Sequence, residues 1–186
     1  MKIILYVLIF STLVSCAPKR YLLVLKMEPS TEPGANYEND SLKIHFNVTE
    51  TFIGVKFENK LDKDIKINWD EISFSLNGSS YARVLHKLTG ITKINDVQPT
   101  TTIPPHSYID DKLYPRDKYY VSANRYSGYW STSLSYFRIK KPNEKSESYM
   151  HSRIGNVIVV HMPYYLGNNY VESNFQITIV NVKKIK

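Results

Sequence analysis

The chain has 186 residues, 42% of them hydrophobic and 13% aromatic, with 15 Tyr but only 7 Gly and a net charge of +7. One ordinary domain fits this length, and an aromatic, glycine-poor composition suits a pleated, half-buried sheet. A single cysteine, Cys16, excludes an internal disulfide framework and any cysteine-built metal site.

The first residues carry an address. Lys2 precedes an apolar run from Ile3 to Val14, which has the length of a signal peptide and is short of the roughly 20 residues that span a bilayer. Leu13-Val14-Ser15-Cys16 then reads as a bacterial lipobox, in which the cysteine sulfur takes a diacylglyceryl group after cleavage before Cys16. Each buried methylene contributes about 0.8 kcal/mol, so two or three acyl chains make a durable membrane anchor. The expected organisation is a lipoprotein signal peptide over 1–15, an acylated Cys16 with a short tether over 16–20, and one domain over 21–186. Cleavage removes only Lys2 among the charged residues, which leaves 23 basic against 17 acidic. The charges are scattered along the sequence, with one basic end-run, Lys183-Lys184-Ile185-Lys186, and read as a solvated surface. The sequons at Asn47 and Asn77 carry no weight in a bacterial lipoprotein.

Tyr21 to Leu25 predicts a first strand, and the Pro- and Asn-containing stretch Glu28 to Asp40 a loop. Leu42, Ile44, Phe46 and Val48 alternate with polar residues, as do Ile53, Val55 and Phe57, so each predicts a strand with one buried face. Phe57 to His86 reads as consecutive strands of one antiparallel sheet. Its elements are a polar break at Asn59–Asp64, alternation of Ile65, Ile67 and Trp69, then Ile72, Phe74 and Leu76, and a hairpin turn at Asn77-Gly78. Pro104 and Pro105 cannot donate to a ladder, so Ile103 to Pro105 cannot continue a central strand. The chain from there to Trp130 reads as loop. Further strands are predicted at Tyr136–Lys140 and Val157–Val160, with a charged turn at Pro142–Glu147 between them. Along the last strand Phe175, Ile177, Ile179 and Asn181 face one way, and Val180 and Val182 the other. No helix is expected. The pattern predicts an all-β domain, a single immunoglobulin-like antiparallel β-sandwich, with a closed barrel as the alternative.

The lipobox, the alternating strand pair, the run Asn59-x-x-Asp62-Lys63-Asp64-Ile65-Lys66-Ile67-Asn68-Trp69-Asp70 leading into Ser73-Phe74-x-x-x-Gly78 and Arg83-Val84-Leu85-His86, and Thr102-Ile103-Pro104-Pro105-His106-Ser107 together resemble a loose group of small bacterial lipoproteins of unknown function. The resemblance covers about residues 1–120 and implies an envelope location and an immunoglobulin-like domain. It supplies no catalytic residues.

The residues themselves offer little chemistry. None of the five histidines has metal-ligand spacing, and each reads as a surface or edge residue. Asp70-Glu71 and Asp110-Asp111 are adjacent carboxylates, which on a strand point to opposite faces rather than converging. No nucleophile elbow or phosphate-cradling glycine loop is present. The expectation is therefore no catalytic residue, no metal and no cofactor. The stretch Ile103 to Arg138 is rich in Tyr with interleaved Arg, and Tyr119, Tyr120, Arg125, Tyr126, Tyr129 and Trp130 are the candidate binding residues, because such side chains give large contact area at low entropic cost. The alternative is that these rings pack back onto the core. The reading is an envelope lipoprotein, on an outer membrane if the cell has one, held by its lipid anchor and acting as a non-catalytic binding or assembly module. Its partner would be an envelope protein or a glycan and not a nucleic acid. A lectin-like protein or an envelope hydrolase with an unrecognised site is the alternative.

Overall fold

A computed structural model describes residues 20–49, 52–79, 81–86, 97–116, 119–123, 130–134 and 147–185. The chain is all-β. Its strands are β1 (Arg20–Glu28), β2 (Asn36–Glu38), β3 (Leu42–Val48), β4 (Ile53–Asn59), β5 (Ile65–Ile67), β6 (Ser73–Leu76), β7 (Ala82–His86), β8 (Thr101–Ile103), β9 (Tyr108–Pro115), β10 (Tyr119–Ala123), β11 (Trp130–Leu134), β12 (Val157–His161), β13 (Tyr164–Leu166), β14 (Asn169–Val171) and β15 (Asn174–Ile185). A single-turn helix α1 (Glu147–His151) precedes β12.

A nine-stranded antiparallel sheet runs β1-β15-β12-β6-β7-β9-β4-β3-β2, a four-stranded sheet β14-β13-β5-β8, and β10 and β11 pair separately. The large sheet curls until its two halves face each other. Phe175 on β15 touches Tyr37 on β2 and Phe46 on β3, with ring centroids 5.3 and 5.4 Å apart. The four-stranded sheet packs on the same core, where Tyr164 of β13 meets Phe57 of β4 edge-on at 5.7 Å. The result is a sandwich that approaches a barrel. Alternation drives it: β3 and β4 bury Leu42, Ile44, Phe46, Val48, Ile53, Val55 and Phe57 while His45 and Lys56 stay exposed.

Several expectations change. Phe57 to His86 is not one run of neighbouring strands, because β5 belongs to the four-stranded sheet and β6 to the large one. The crossing is a 3-10 turn at Trp69–Glu71, capped by Asn68, whose Oδ1 accepts the Asp70 N–H at 3.3 Å. Trp69 is fully buried there. The β6–β7 hairpin does form as expected, with φ of 50° at Asn77 and 72° at Gly78. Such a pair of left-handed residues suits a strand-matched tight turn. The loop at 28–40 contains the short β2, and the segment after Pro105 is not loop. β9 is a central strand there, between β7 and β4. β8 is an edge strand that stops before Pro104, as proline's missing donor requires. On β15 the register slips, with Val24 opposite Asn181 but Leu25 opposite Ile179. Val180 is the extra residue, so Asn181 is exposed and Val182 buried, the reverse of uninterrupted alternation. The expected strand at Tyr136–Lys140 lies outside the described residues. Most of the expected turn at Pro142–Glu147 does too, and its last residue opens α1.

Candidate functional site

Two places gather polar side chains, one inside the sandwich and one on its outer face. The inner one is built where β8 meets the crossing turn. Asn59, fully buried at the end of β4, donates from Nδ2 to the carbonyls of Lys63, Ile103 and Pro104 at 2.8, 3.0 and 3.0 Å, and its Oδ1 accepts the Leu61 N–H at 2.9 Å. His106 Nε2 meets Asp62 at 2.7 Å. Trp69 Nε1 donates to Thr101 Oγ1 at 2.7 Å. The runs 59–70 and 101–107 therefore meet in space, through buried Asn59 bonded to backbone groups, the Trp69–Thr101 side-chain bond and the exposed His106–Asp62 pair.

Beside them His86, expected at the surface, is buried. Its ring stacks on Trp69 with centroids 4.3 Å apart and planes at 10°, and its Nδ1 lies 3.2 Å from Asp111 Oδ2. Among the described residues Nε2 is buried with no partner. The His86 N–H donates to Gln98 Oε1 at 2.9 Å. Gln98 in turn donates from its backbone N–H to Asp70 Oδ2 at 2.9 Å and from Nε2 to the Val84 carbonyl at 2.8 Å. Arg116 Nη1 reaches Asp70 Oδ1 at 3.4 Å. This is the histidine–carboxylate arrangement of a general base, yet it faces the core. Asp110 and Asp111 do point opposite ways, one exposed and one buried. Asp70 and Glu71 also diverge: Glu71 accepts from Asn68 Nδ2 at 2.7 Å and from the Tyr165 hydroxyl at 2.9 Å. That bond to a carboxylate raises the Tyr165 pKa.

The outer place is a concavity of about 550 Å³ lined by Ser73, Tyr81, Val159, His161, Glu172 and Asn174. Strand pairing makes it. Phe74, Ile158, Val160 and Phe175 point into the core, so the alternate residues Ser73, Val159, His161 and Asn174 share the outward face. His161 sits opposite Ser73 on one side and Asn174 on the other. Its Nδ1 lies 2.9 Å from Asn174 Oδ1, and Glu172 Oε1 is 4.0 Å away. Tyr81 stands 59% exposed at the rim. The groove thus offers an aromatic face, a hydroxyl, an imidazole, an amide and a carboxylate on a rigid sheet.

Of the candidate binding residues, Tyr119, Tyr120 and Trp130 fall on the β10–β11 ribbon. There Tyr119 pairs with Leu134, Tyr120 with Ser133 and Trp130 with Ala123, so Tyr119 and Trp130 stand at opposite ends of the ladder. Arg125, Tyr126 and Tyr129 lie outside the described residues, as does Cys16. The groove residues were missed because β12 lies between two strands remote in sequence. The only local signal is a histidine at the outward end of a β-branched strand. Comparison with protein-family models, curated proteins and solved structures finds no match for this chain.

Proposed function

We propose that the protein is a bacterial envelope lipoprotein, anchored through acylated Cys16, whose β-sandwich is a non-catalytic binding module. The lipobox supports the anchor. The observation that carries the binding reading is the groove on β6, β12 and β15. There Tyr81 lines the groove beside a row of outward polar side chains held in register by the sheet. Rigid strands fix those groups without further ordering cost, which is what a recognition surface needs.

A second reading is a glycan-binding protein. An exposed aromatic ring beside planar amide and carboxylate groups suits a sugar, whose C–H face packs on the ring while its hydroxyls pair with the polar row. The Tyr-rich segment around Tyr119–Trp130 remains a proposed second contact.

Gentle crosslinking in native cells, followed by mass spectrometry of what co-purifies, tests the reading. Wild-type protein is compared with Cys16→Ala and with Tyr81→Ala/His161→Ala. A defined envelope component that is lost in both variants, together with an acylated Cys16 peptide, is the expected result. A component retained by the groove variant would refute the groove, and an unmodified Cys16 would refute the anchor.

A further inference from the structure

The ladder of β1 and β15 gathers charge that looks dispersed along the sequence. Residues 16–25 and 177–186 contain Lys19, Arg20, Lys183, Lys184 and Lys186 and no Asp or Glu, while Lys26, farther along β1, is paired with Glu28 at 2.8 Å. The fold lays β1 against β15 in an antiparallel ladder. Arg20 pairs with Ile185, Tyr21 with Lys184 and Leu22 with Lys183. Lys183 and Lys184 are successive residues on opposite faces of the strand and both are exposed. Leu22, opposite Lys183, is 51% exposed, and Val180 is 43% exposed.

We infer that this end of the β1–β15 ribbon is a second membrane contact, which docks on the anionic lipid headgroups of the leaflet that holds the anchor. The inference rests on the anchored reading, because Cys16 decides which surface lies near. From Cys16 to Arg20 are four Cα steps, at most about 14 Å when fully extended. The tether thus holds the basic end close to the bilayer surface, where headgroup charge is felt within about 8 Å at physiological salt. Each basic side chain near such a surface strengthens attachment about fivefold. Exposed Leu22 supplies an apolar contact among the lysines, the composition of an interfacial contact. Docking by this end would fix the orientation of the sandwich on the membrane.

The test uses the full-length protein purified from bacterial membranes. Acylation of Cys16 is scored first by mass spectrometry. The protein is then reconstituted into phosphatidylcholine vesicles with or without about 30 mol% phosphatidylglycerol, an anionic share chosen to give a strongly negative surface. Amine labelling of Lys183 and Lys184 is compared with that of Lys66, an exposed lysine on β5. Labelling of Lys183 and Lys184 should slow about fivefold or more on the anionic vesicles, recover in high salt, and leave Lys66 unchanged. Equal labelling in both vesicle types would overturn the inference. Lys183→Glu/Lys184→Glu alters only exposed positions and should abolish the lipid dependence of vesicle flotation. A double variant that still prefers anionic vesicles would overturn it as well. If Cys16 is unmodified, the anchor reading fails by itself. Flotation of that protein with phosphatidylglycerol vesicles but not with phosphatidylcholine vesicles would then still uphold the basic contact, and equal flotation would refute it.

Discussion

His86 and His161 make nearly the same local contact and serve different ends. Each turns Nδ1 toward an oxygen on the adjacent strand, Asp111 at 3.2 Å for one and Asn174 at 2.9 Å for the other. The His86 side chain is 7% exposed and its partner 4%, whereas that of His161 is 24% exposed and borders a groove. The inner pair has the more catalytic appearance, with a carboxylate behind an imidazole, but its ring lies flat on Trp69 and no substrate could reach it. The outer one has the weaker partner and the access. Exposure, more than residue pairing, separates a structural polar cluster from a candidate site.

Substitutions should divide along the same line. His86→Ala leaves the Asp111 carboxylate buried without its imidazole and opens a gap beside Trp69. It should cost about 3–5 kcal/mol in urea unfolding. A loss below about 1 kcal/mol would mean that the inner pair is not structural. Asn59→Ala removes the donor to three carbonyls and the acceptor for Leu61. The expected loss is about 2–3 kcal/mol by the same measurement, since the Lys63 and Ile103 carbonyls lose a donor at a buried site, while the Pro104 carbonyl keeps its bonds from Ser107. His161→Ala, at a half-exposed position, should change stability by no more than about 0.5 kcal/mol.

The smallest effect is a titration away from both histidines. Lys60 and Lys43 bond to Glu38 and lower its pKa from 4.5 to about 2. A depressed carboxyl contributes stability that is complete above its unfolded value and is lost as pH falls from 4.5 toward about 2. Lys60→Met should move the Glu38 titration, followed by NMR, upward toward the ordinary carboxyl range, and an unmoved midpoint would remove Lys60 as its main cause.

The sequence pattern shows some of this and hides the rest for definite reasons. Strict alternation exposes β3 and β4, and Asn77-Gly78 exposes the β6–β7 turn, because both are local properties of the backbone. β9 is hidden because Asp111 occupies an inward position where alternation calls for an apolar residue. The distant His86 and the Lys112 N–H, at 3.2 and 2.7 Å, give that carboxylate its partners. The separation of β5 from β6 is hidden because Ile65, Ile67, Ile72 and Phe74 are all buried, and burial does not say in which sheet. The Val180 bulge is hidden because Val-Asn-Val looks the same with or without an extra residue, although it breaks the alternation and leaves Val180 and Asn181 both exposed with Val182 buried. The groove requires β12 to lie between β6 and β15, a long-range choice that no local motif encodes.

The binding role of the groove is tested most directly by a photo-crosslinking side chain placed at Tyr81, on the groove rim, and in a second protein at Lys112, an exposed position on β9. Both proteins are produced in the native cell and irradiated. The expected result is a discrete covalent adduct from position 81 that disappears with His161→Ala, and none from position 112. An adduct at 112 with none at 81, or an adduct at 81 that persists with His161→Ala, would contradict the groove as the binding surface.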